Sequence, residues 1–309
     1  MNNIEQYKKI LAIDLGSNTI RMVVYDCINR SFEWEFERIV KTADGLNATM
    51  SVSDEAIKRI IKAINDAKKQ VDFGSFEVCA YTTQALRVAN NADETIEHIS
   101  HQTGVKFEII GATIEATLTL KALQNRLDIL GVGSDDMVSI DIGGGSSEVV
   151  FVDGDSVVSK SFDIGIVTVA QSFSGIDEIK NALDTKMQTI LHWVNRYYSN
   201  NHKPSIFVAT AGTPTTIAAM KVGLDYESYD ASKINGVVLD VKELQIQLSK
   251  LLLLDIVTRQ KLVGVGRDDL IIAGILIYQK FFEILGFDEC IVIDDGLREG
   301  IALSRCKII

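Results

Sequence analysis

The stretch Ser139-Ile140-Asp141-Ile142-Gly143-Gly144-Gly145-Ser146-Ser147-Glu148-Val149-Val150 reads as a strand, a glycine hinge and a second strand, with a carboxylate on either side of the hinge. Three successive glycines carry no Cβ, so the backbone can approach a bulky anion such as phosphate and turn its N–H groups toward it. Asp141 stands where the first strand ends, and Glu148 shares a pleat face with Ser146 and Val150. Two acids beside an anion cradle point to a divalent cation between them and the phosphate, Mg2+ or another such as Mn2+. The simpler alternative is a glycine-rich hairpin with two solvated acids.

A second copy near the N-terminus weighs against that alternative. Sliding the chain by 127 positions (141 minus 14) lays Ala12-Ile13-Asp14-Leu15-Gly16-Ser17-Asn18-Thr19-Ile20-Arg21-Met22-Val23-Val24-Tyr25-Asp26 over Ser139 to Asp153. Ile, Asp, Gly, Val and the closing Asp coincide. Two hairpins of one design, a domain's length apart, predict a duplicated fold with a ligand clamped between the halves. The copies differ at one matched position, Arg21 against Glu148, so one hairpin would grip phosphate and the other a metal or water.

With 309 residues, 47% of them apolar, the chain is long enough for two domains and a substantial core. Only 2 prolines and no low-complexity run argue against a disordered linker. A net charge of −11 argues against nonspecific nucleic-acid binding and requires that a polyanionic substrate be held by a local basic pocket. Cys27, Cys79, Cys290 and Cys306 show no CxxC spacing, so they read as unpaired core residues of a reducing compartment. No apolar run reaches the ~18 residues of a membrane span, and MNNIEQYKK lacks the apolar core of a leader, so a cytoplasmic protein without membrane contact is expected.

Along the chain, strands are expected at Lys8 to Asp14, Thr19 to Asp26 and Ser31 to Lys41, followed by a helix capped by Ser53 with Ile57, Ile60, Ile61, Ile64, Ala67 and Val71 on one face. A buried strand at Phe76 to Tyr81 runs into Thr82-Thr83-Gln84-Ala85-Leu86-Arg87, where hydroxyls, helix N–H groups and an arginine make an anion corner. His98 and His101 stand at i, i+3 on the next helix, a spacing open to a metal but better explained by a solvated face with Glu94 and Glu97. After a strand at Val105 to Ile110, Glu115 lies in the first turn of a helix from Thr113 to Leu123; there it suits either the helix dipole or a functional role. The segment Leu127 to Val132 is expected to join the domains. In the second half, Ile176 to Asn200 reads as one long amphipathic helix. Thr210-Ala211-Gly212-Thr213-Pro214-Thr215-Thr216 reads as a strand-to-helix turn whose donors converge. Gly266-Arg267-Asp268-Asp269 opens an apolar helix, and Asp294 to Gly300 leads into a terminal helix.

Taken in order, AIDLGSNTIRMVV, TTQALR, the helix with Glu115, DIGGGSSEVVF, GTPTTIAAM, GRDDLIIAG and DDGLREGIAL resemble the exopolyphosphatase and guanosine pentaphosphate phosphohydrolase family. The resemblance implies an α/β fold of two actin-like (ribonuclease H-like) domains, each a mixed sheet flanked by helices, with a cleft between them. Their expected extents are 1–124 and 125–309, the terminal helix at about 297–309 packing back on the first. It also implies roles. Glu115 matches the catalytic glutamate that orients or deprotonates water. Asp141 and Glu148 match acids that hold Mg2+ or that water, with Asp14 behind them. Gly16, Ser17 and Asn18 match one phosphate loop, Gly143, Gly144, Gly145 and Ser146 a second, and Gly212 and Thr213 a third, while Arg21 and Arg87 match phosphate-facing arginines. The motif before the catalytic helix departs from the family's Ser-Gly-x-Glu-Glu-Ala: Ile114 stands where the first glutamate would be.

The expected activity is hydrolysis of terminal phosphoanhydride bonds in polyphosphate or guanosine pentaphosphate. An ATP-dependent kinase or ATPase of the same superfold is the rival enzyme, because fold-level likeness alone does not separate them. A noncatalytic alarmone sensor is a third reading, though it has no need of a water-positioning carboxylate. A homodimer is the default expectation for assembly.

Overall fold

The computed structural model describes residues 9–173 and 175–306. Lys8 and the N-terminal segment read above as lacking a leader lie outside these residues, apart from Lys9. The chain divides into two compact units, one made of residues up to Ala122 together with those from Gly296 onward, the other of Leu123–Asp295.

In the first unit the alternating segments form an antiparallel meander of β1 (Lys9–Leu15), β2 (Thr19–Asp26) and β3 (Ser31–Ile39). There follow α1 (Leu46–Thr49), α2 (Asp54–Lys68), β4 (Glu77–Thr82), α3 (Gln84–Val88), α4 (Ala92–Thr103), β5 (Glu108–Ile109) and α5 (Ala112–Ile129). The sheet order is β3-β2-β1-β4-β5, with β1, β4 and β5 parallel. Ser53 caps α2 by accepting from the N–H of Ala56 at 3.2 Å. The apolar stripe of that helix, Ile57, Ile60, Ile64 and Ala67, is buried against the sheet as its spacing predicts. The expected end of the following helix at Leu123 is corrected: α5 runs unbroken to Ile129, and the division between units falls within it. Nothing in its sequence breaks the helix until Gly131 (φ +71), where Val132 N–H bonds Leu127 O at 2.9 Å to close it.

The second unit contains β6 (Asp136–Ile142), β7 (Ser147–Asp153), β8 (Ser156–Phe162), α6 (Ile166–Ser172), α7 (Ile176–Lys186), α8 (Gln188–Tyr198), β9 (Ile206–Thr210), α9 (Gly212–Lys221), α10 (Ala231–Ile234), β10 (Val237–Asp240), α11 (Val241–Leu253), α12 (Ile256–Val263), α13 (Leu270–Leu285) and β11 (Glu289–Val292). Its sheet order, β10-β11-β9-β6-β7-β8, repeats that of the first unit with one added edge strand. The α/β class with two mixed sheets flanked by helices is therefore as the sequence leads one to expect. The single helix expected over Ile176 to Asn200 is two helices, broken at Met187, whose backbone (φ −84, ψ 2) leaves the helical path. The apolar stripe continues across the break, with Leu183, Met187, Ile190 and Val194 all buried, so periodicity alone does not reveal it.

The chain returns to the first unit with α14 (Leu297–Arg305), which packs on β1 and β2 through Leu297, Ile301 and Ala302. Where α14 meets α5, a Cβ at Gly300 would stand 1.9 Å from Leu118 O, so only glycine permits this approach. The return also corrects the reading of the cysteines. Cys27, just after β2, and Cys306, just after α14, form a disulfide across 279 positions; Cys79 and Cys290 are buried thiols. A spacing so long carries no local signal, and the pairing arises only because α14 lies over the β1–β2 pair. Cys27→Ser is expected to lower stability by about 2–4 kcal/mol, read from urea unfolding under non-reducing conditions; an unchanged midpoint refutes the contribution.

Candidate phosphate-binding and catalytic site

In each unit the tips of three parallel strands carry the chemistry, the usual place for ligands in open α/β sheets. In the first unit, Leu15 of β1 pairs with Thr82 of β4, and Thr82 with Ile109 of β5. The turn after β1, the Thr82–Arg87 corner and the start of α5 thus open on one edge. The second unit repeats the plan, with Asp141 of β6 beside Thr210 of β9 and Val292 of β11 beside Ala209.

The duplicated turns are alike in detail. Gly16 N–H bonds Thr19 O at 2.9 Å, and 127 positions on Gly143 N–H bonds Ser146 O at 2.9 Å. Two carbonyls of each turn are taken by the segment after the third strand. Asn18 O accepts from Val40 and Lys41, Ser17 O from Ala43, Gly143 O from Ile166, and Gly144 O from Val167. Among the described residues no protein acceptor takes the N–H of Ser17, Asn18, Gly144 or Gly145, so each turn presents donors as an anion nest does. The second turn is seated tightly. A Cβ at Gly165 would stand 2.4 Å from Gly144 O.

The cross-strand pairs at the turns are Asp14 opposite Arg21 and Asp141 opposite Glu148. Glu148 is buried, and its Oε1 accepts from Ser146 Oγ at 2.8 Å and Ser161 Oγ at 2.6 Å. Arg21 Nε lies 2.8 Å from Glu37 Oε2. Asp14 Oδ1 and Asn18 Oδ1 are buried and accept no hydrogen bond among the described residues.

Burial pushes the Asp14 carboxyl up to about 6; the Arg21 and Arg298 charges pull it down, and Glu37 adds to the rise. Since the folded value exceeds the unfolded one, the folded state keeps a proton between about pH 4 and 6 that the unfolded chain has lost, and stability falls as pH rises through 6. Asp14→Asn is therefore expected to be more stable than wild type by about 1–2 kcal/mol at pH 8, a figure reduced from the full shift because Asp14 is only partly buried as a residue. At pH 4 the two proteins should unfold alike in urea. Equal stability at pH 8 would show that Asp14 is not strained.

Glu115 sits in the first turn of α5, its N–H bonded to Gly111 O at 3.0 Å. Its Oε2 lies 3.2 Å from Arg87 Nη1. That guanidinium is fixed by Gln84 Oε1, 2.6 Å from Nη2, and by Ile110 O, 2.8 Å from Nη1. Arg87 thus holds the carboxylate in one orientation. Ile114 is half-exposed beside it. In the second unit, Ala211 takes φ +76, strained for a residue with a side chain, and turns β9 directly into α9. The first-turn N–H groups of Gly212 and Thr213 have no protein acceptor among the described residues. The Thr213 hydroxyl itself faces inward, where a Cβ at Gly274 would stand 2.2 Å away.

The structure thus brings together Asp14, Gly16, Ser17, Asn18 and Arg21, with Arg87 against Glu115, in one unit, and Asp141, Gly143 to Ser146 and Glu148 in the other. Gln84, Glu37, Ser161 and Arg298 escaped the sequence reading. Gln84 and Arg298 lie inside quoted motifs, whereas nothing in the sequence marks the β3 and β8 partners. His98 and His101 are exposed on α4. Among the described residues no three His, Cys, Asp or Glu side chains gather to enclose a cation. An all-oxygen pair such as Asp141 and Glu148 nonetheless fits Mg2+, which binds through one or two carboxylates and fills its remaining positions with water and substrate phosphate.

The Ppx/GppA phosphatase family model matches residues 34–308. A bifunctional 3-dehydroquinate synthase/phosphatase of Fusobacterium nucleatum is 28% identical over 97% of this chain, which spans only 47% of that protein. Exopolyphosphatase 1 of Mycobacterium leprae is 24% identical, over 95% of this chain and 88% of its own. The crystal structure of the Aquifex aeolicus Ppx/GppA family member superposes with a TM-score of 0.70 at 28% identity, covering 96% of both chains. With the family model covering most of its length and the sheet order repeated in both halves, the chain belongs to the Ppx/GppA phosphatase family.

Proposed function

We propose that the chain hydrolyses the terminal phosphoanhydride bond of a phosphate chain, releasing orthophosphate from inorganic polyphosphate or guanosine pentaphosphate. The observation that carries the reading is the twice-built turn, which presents N–H groups while two of its carbonyls are consumed by the chain itself. Donors of that kind suit the equatorial oxygens of a transferring phosphoryl group. Glu115, oriented by Arg87, accepts a hydrogen bond from the attacking water and takes its proton as the new P–O bond forms. Arg21 adds a charge-assisted contact to the phosphate, and the first turn of α9 offers two further N–H donors.

Asp141 and Glu148 are the residues that would hold Mg2+ or Mn2+, with Asp14 supporting them from behind. When bound, such an ion neutralises charge on the phosphoryl oxygens. Glu148, held by two hydroxyl donors, keeps its carboxylate in a fixed orientation before any ligand arrives. The test is phosphate release from polyphosphates of graded length, from guanosine pentaphosphate, and from ATP with and without acceptors. Release from either of the first two supports the proposal. Rapid ATP turnover with none from the others favours a kinase or ATPase, and tight binding without turnover a sensor.

A further inference from the structure

Gln84 opens α3, one turn before Arg87. Its Oε1 accepts from Arg87 Nε at 3.1 Å and from Nη2 at 2.6 Å, so a single amide oxygen spans one whole edge of the planar guanidinium. Only the oxygen of an amide accepts, and these two donors therefore fix which way the Gln84 amide is turned. Nη1 donates instead to Ile110 O at 2.8 Å and lies 3.2 Å from Glu115 Oε2. Ile110 is tied to the sheet, because its N–H bonds Thr82 O at 3.0 Å and Thr82 Oγ1 donates to Leu15 O at 2.9 Å.

The Nε–Nη2 edge that Gln84 covers is one with which an arginine forks onto phosphate or carboxylate. While Gln84 holds it, that two-pronged grip is closed to a phosphate chain, and the Arg87 charge stays beside Glu115. Holding α3 in place does not require the contact. Ala85 and Leu86 are buried, and Arg87 N–H bonds Thr83 O at 3.0 Å.

We infer that Gln84 is a positioning residue: by covering one edge of Arg87 it commits that arginine to orienting Glu115 and withholds it from the substrate. The inference rests on the reading of Glu115 given under Proposed function. Without Gln84, the uncovered edge of Arg87 turns to the phosphate chain. Glu115 then loses the contact that fixes its carboxylate toward water, so the chemical step slows while substrate binding does not weaken.

The test compares wild type, Gln84→Met, Glu115→Gln and the pair, with inorganic tripolyphosphate as substrate or, if that is not turned over, guanosine pentaphosphate. Gln84→Met keeps the length of the side chain and removes the acceptor. It is expected to lower kcat about tenfold with KM unchanged or lower. Gln84→Glu, whose carboxylate spans the same edge, should bring kcat back to within about threefold of wild type, and Gln84→Met should alter kcat by less than about twofold in the Glu115→Gln background. An unchanged kcat, a raised KM, or an equal loss of kcat in both backgrounds overturns the inference. Gln84→Leu carries the same comparison if the Met variant does not fold. Should wild type release phosphate from neither substrate, the proposed function has failed, and the positioning role is read from crystal structures of wild type and Gln84→Met. Departure of Arg87 from Glu115 in the variant sustains that role, and a contact kept as in wild type overturns it.

Discussion

Glu115→Gln is expected to lower kcat for phosphate release by ~10²- to 10⁴-fold, the range a positioned general base contributes. The amide keeps the size of the side chain and an oxygen for Arg87 Nη1, now 3.2 Å from the carboxylate. Arg87 keeps its bonds to Gln84 and Ile110 O as well, so the fold around it should persist. What disappears is the capacity to take a proton from water. In the proposed mechanism the phosphate is held by the turns and not by Glu115, so KM should move by less than about threefold. A variant with near-wild-type turnover would remove Glu115 from the mechanism.

The second large effect is expected at Glu148. Glu148→Gln retains an oxygen able to accept from Ser146 and Ser161, whose hydroxyls both donate to Oε1, so the change removes charge with little change of shape. If this carboxylate holds the divalent ion, kcat at a fixed, low Mg2+ concentration should fall about 10²-fold or more, and the Mg2+ needed for half-maximal rate should rise. Titrating Mg2+ against rate in both proteins decides the point. An unaltered Mg2+ midpoint with normal kcat means that Glu148 binds no metal. Ser161→Ala, which loosens the carboxylate without discharging it, should give a weaker version of the same shift.

Much of this was legible because the chain writes its central motif twice. The 127-residue offset between Asp14 and Asp141 is a spacing in the sequence, and it reappears as equal turn hydrogen bonds and equal cross-strand registers. Strands whose faces alternate, and the capped, striped α2, were equally open to reading, since burial follows period. The failures have physical reasons too. The break at Met187 leaves the apolar stripe intact, and the continuation of α5 past Leu123 crosses a boundary that exists only in three dimensions. The disulfide and the partners Glu35, Glu37 and Ser161 depend on which strand lies beside which. No local pattern encodes that. Ala211 carries positive φ where glycine is the residue one would look for, so the turn at Gly212 is strained in a way composition conceals.

The division of the chain also bears on how it is made. Leu123–Asp295 is continuous and can condense as soon as the ribosome has delivered it, whereas the first unit waits for Gly296 and the helix beyond. At roughly 5–20 residues per second, the nascent β1–β2 pair spends many seconds with the apolar surface that Leu297, Ile301 and Ala302 will later cover exposed to its surroundings. Throughout that interval Cys27 is a thiol without its mate. Chaperone capture during translation should therefore map to the first hairpin and not to the middle of the polypeptide.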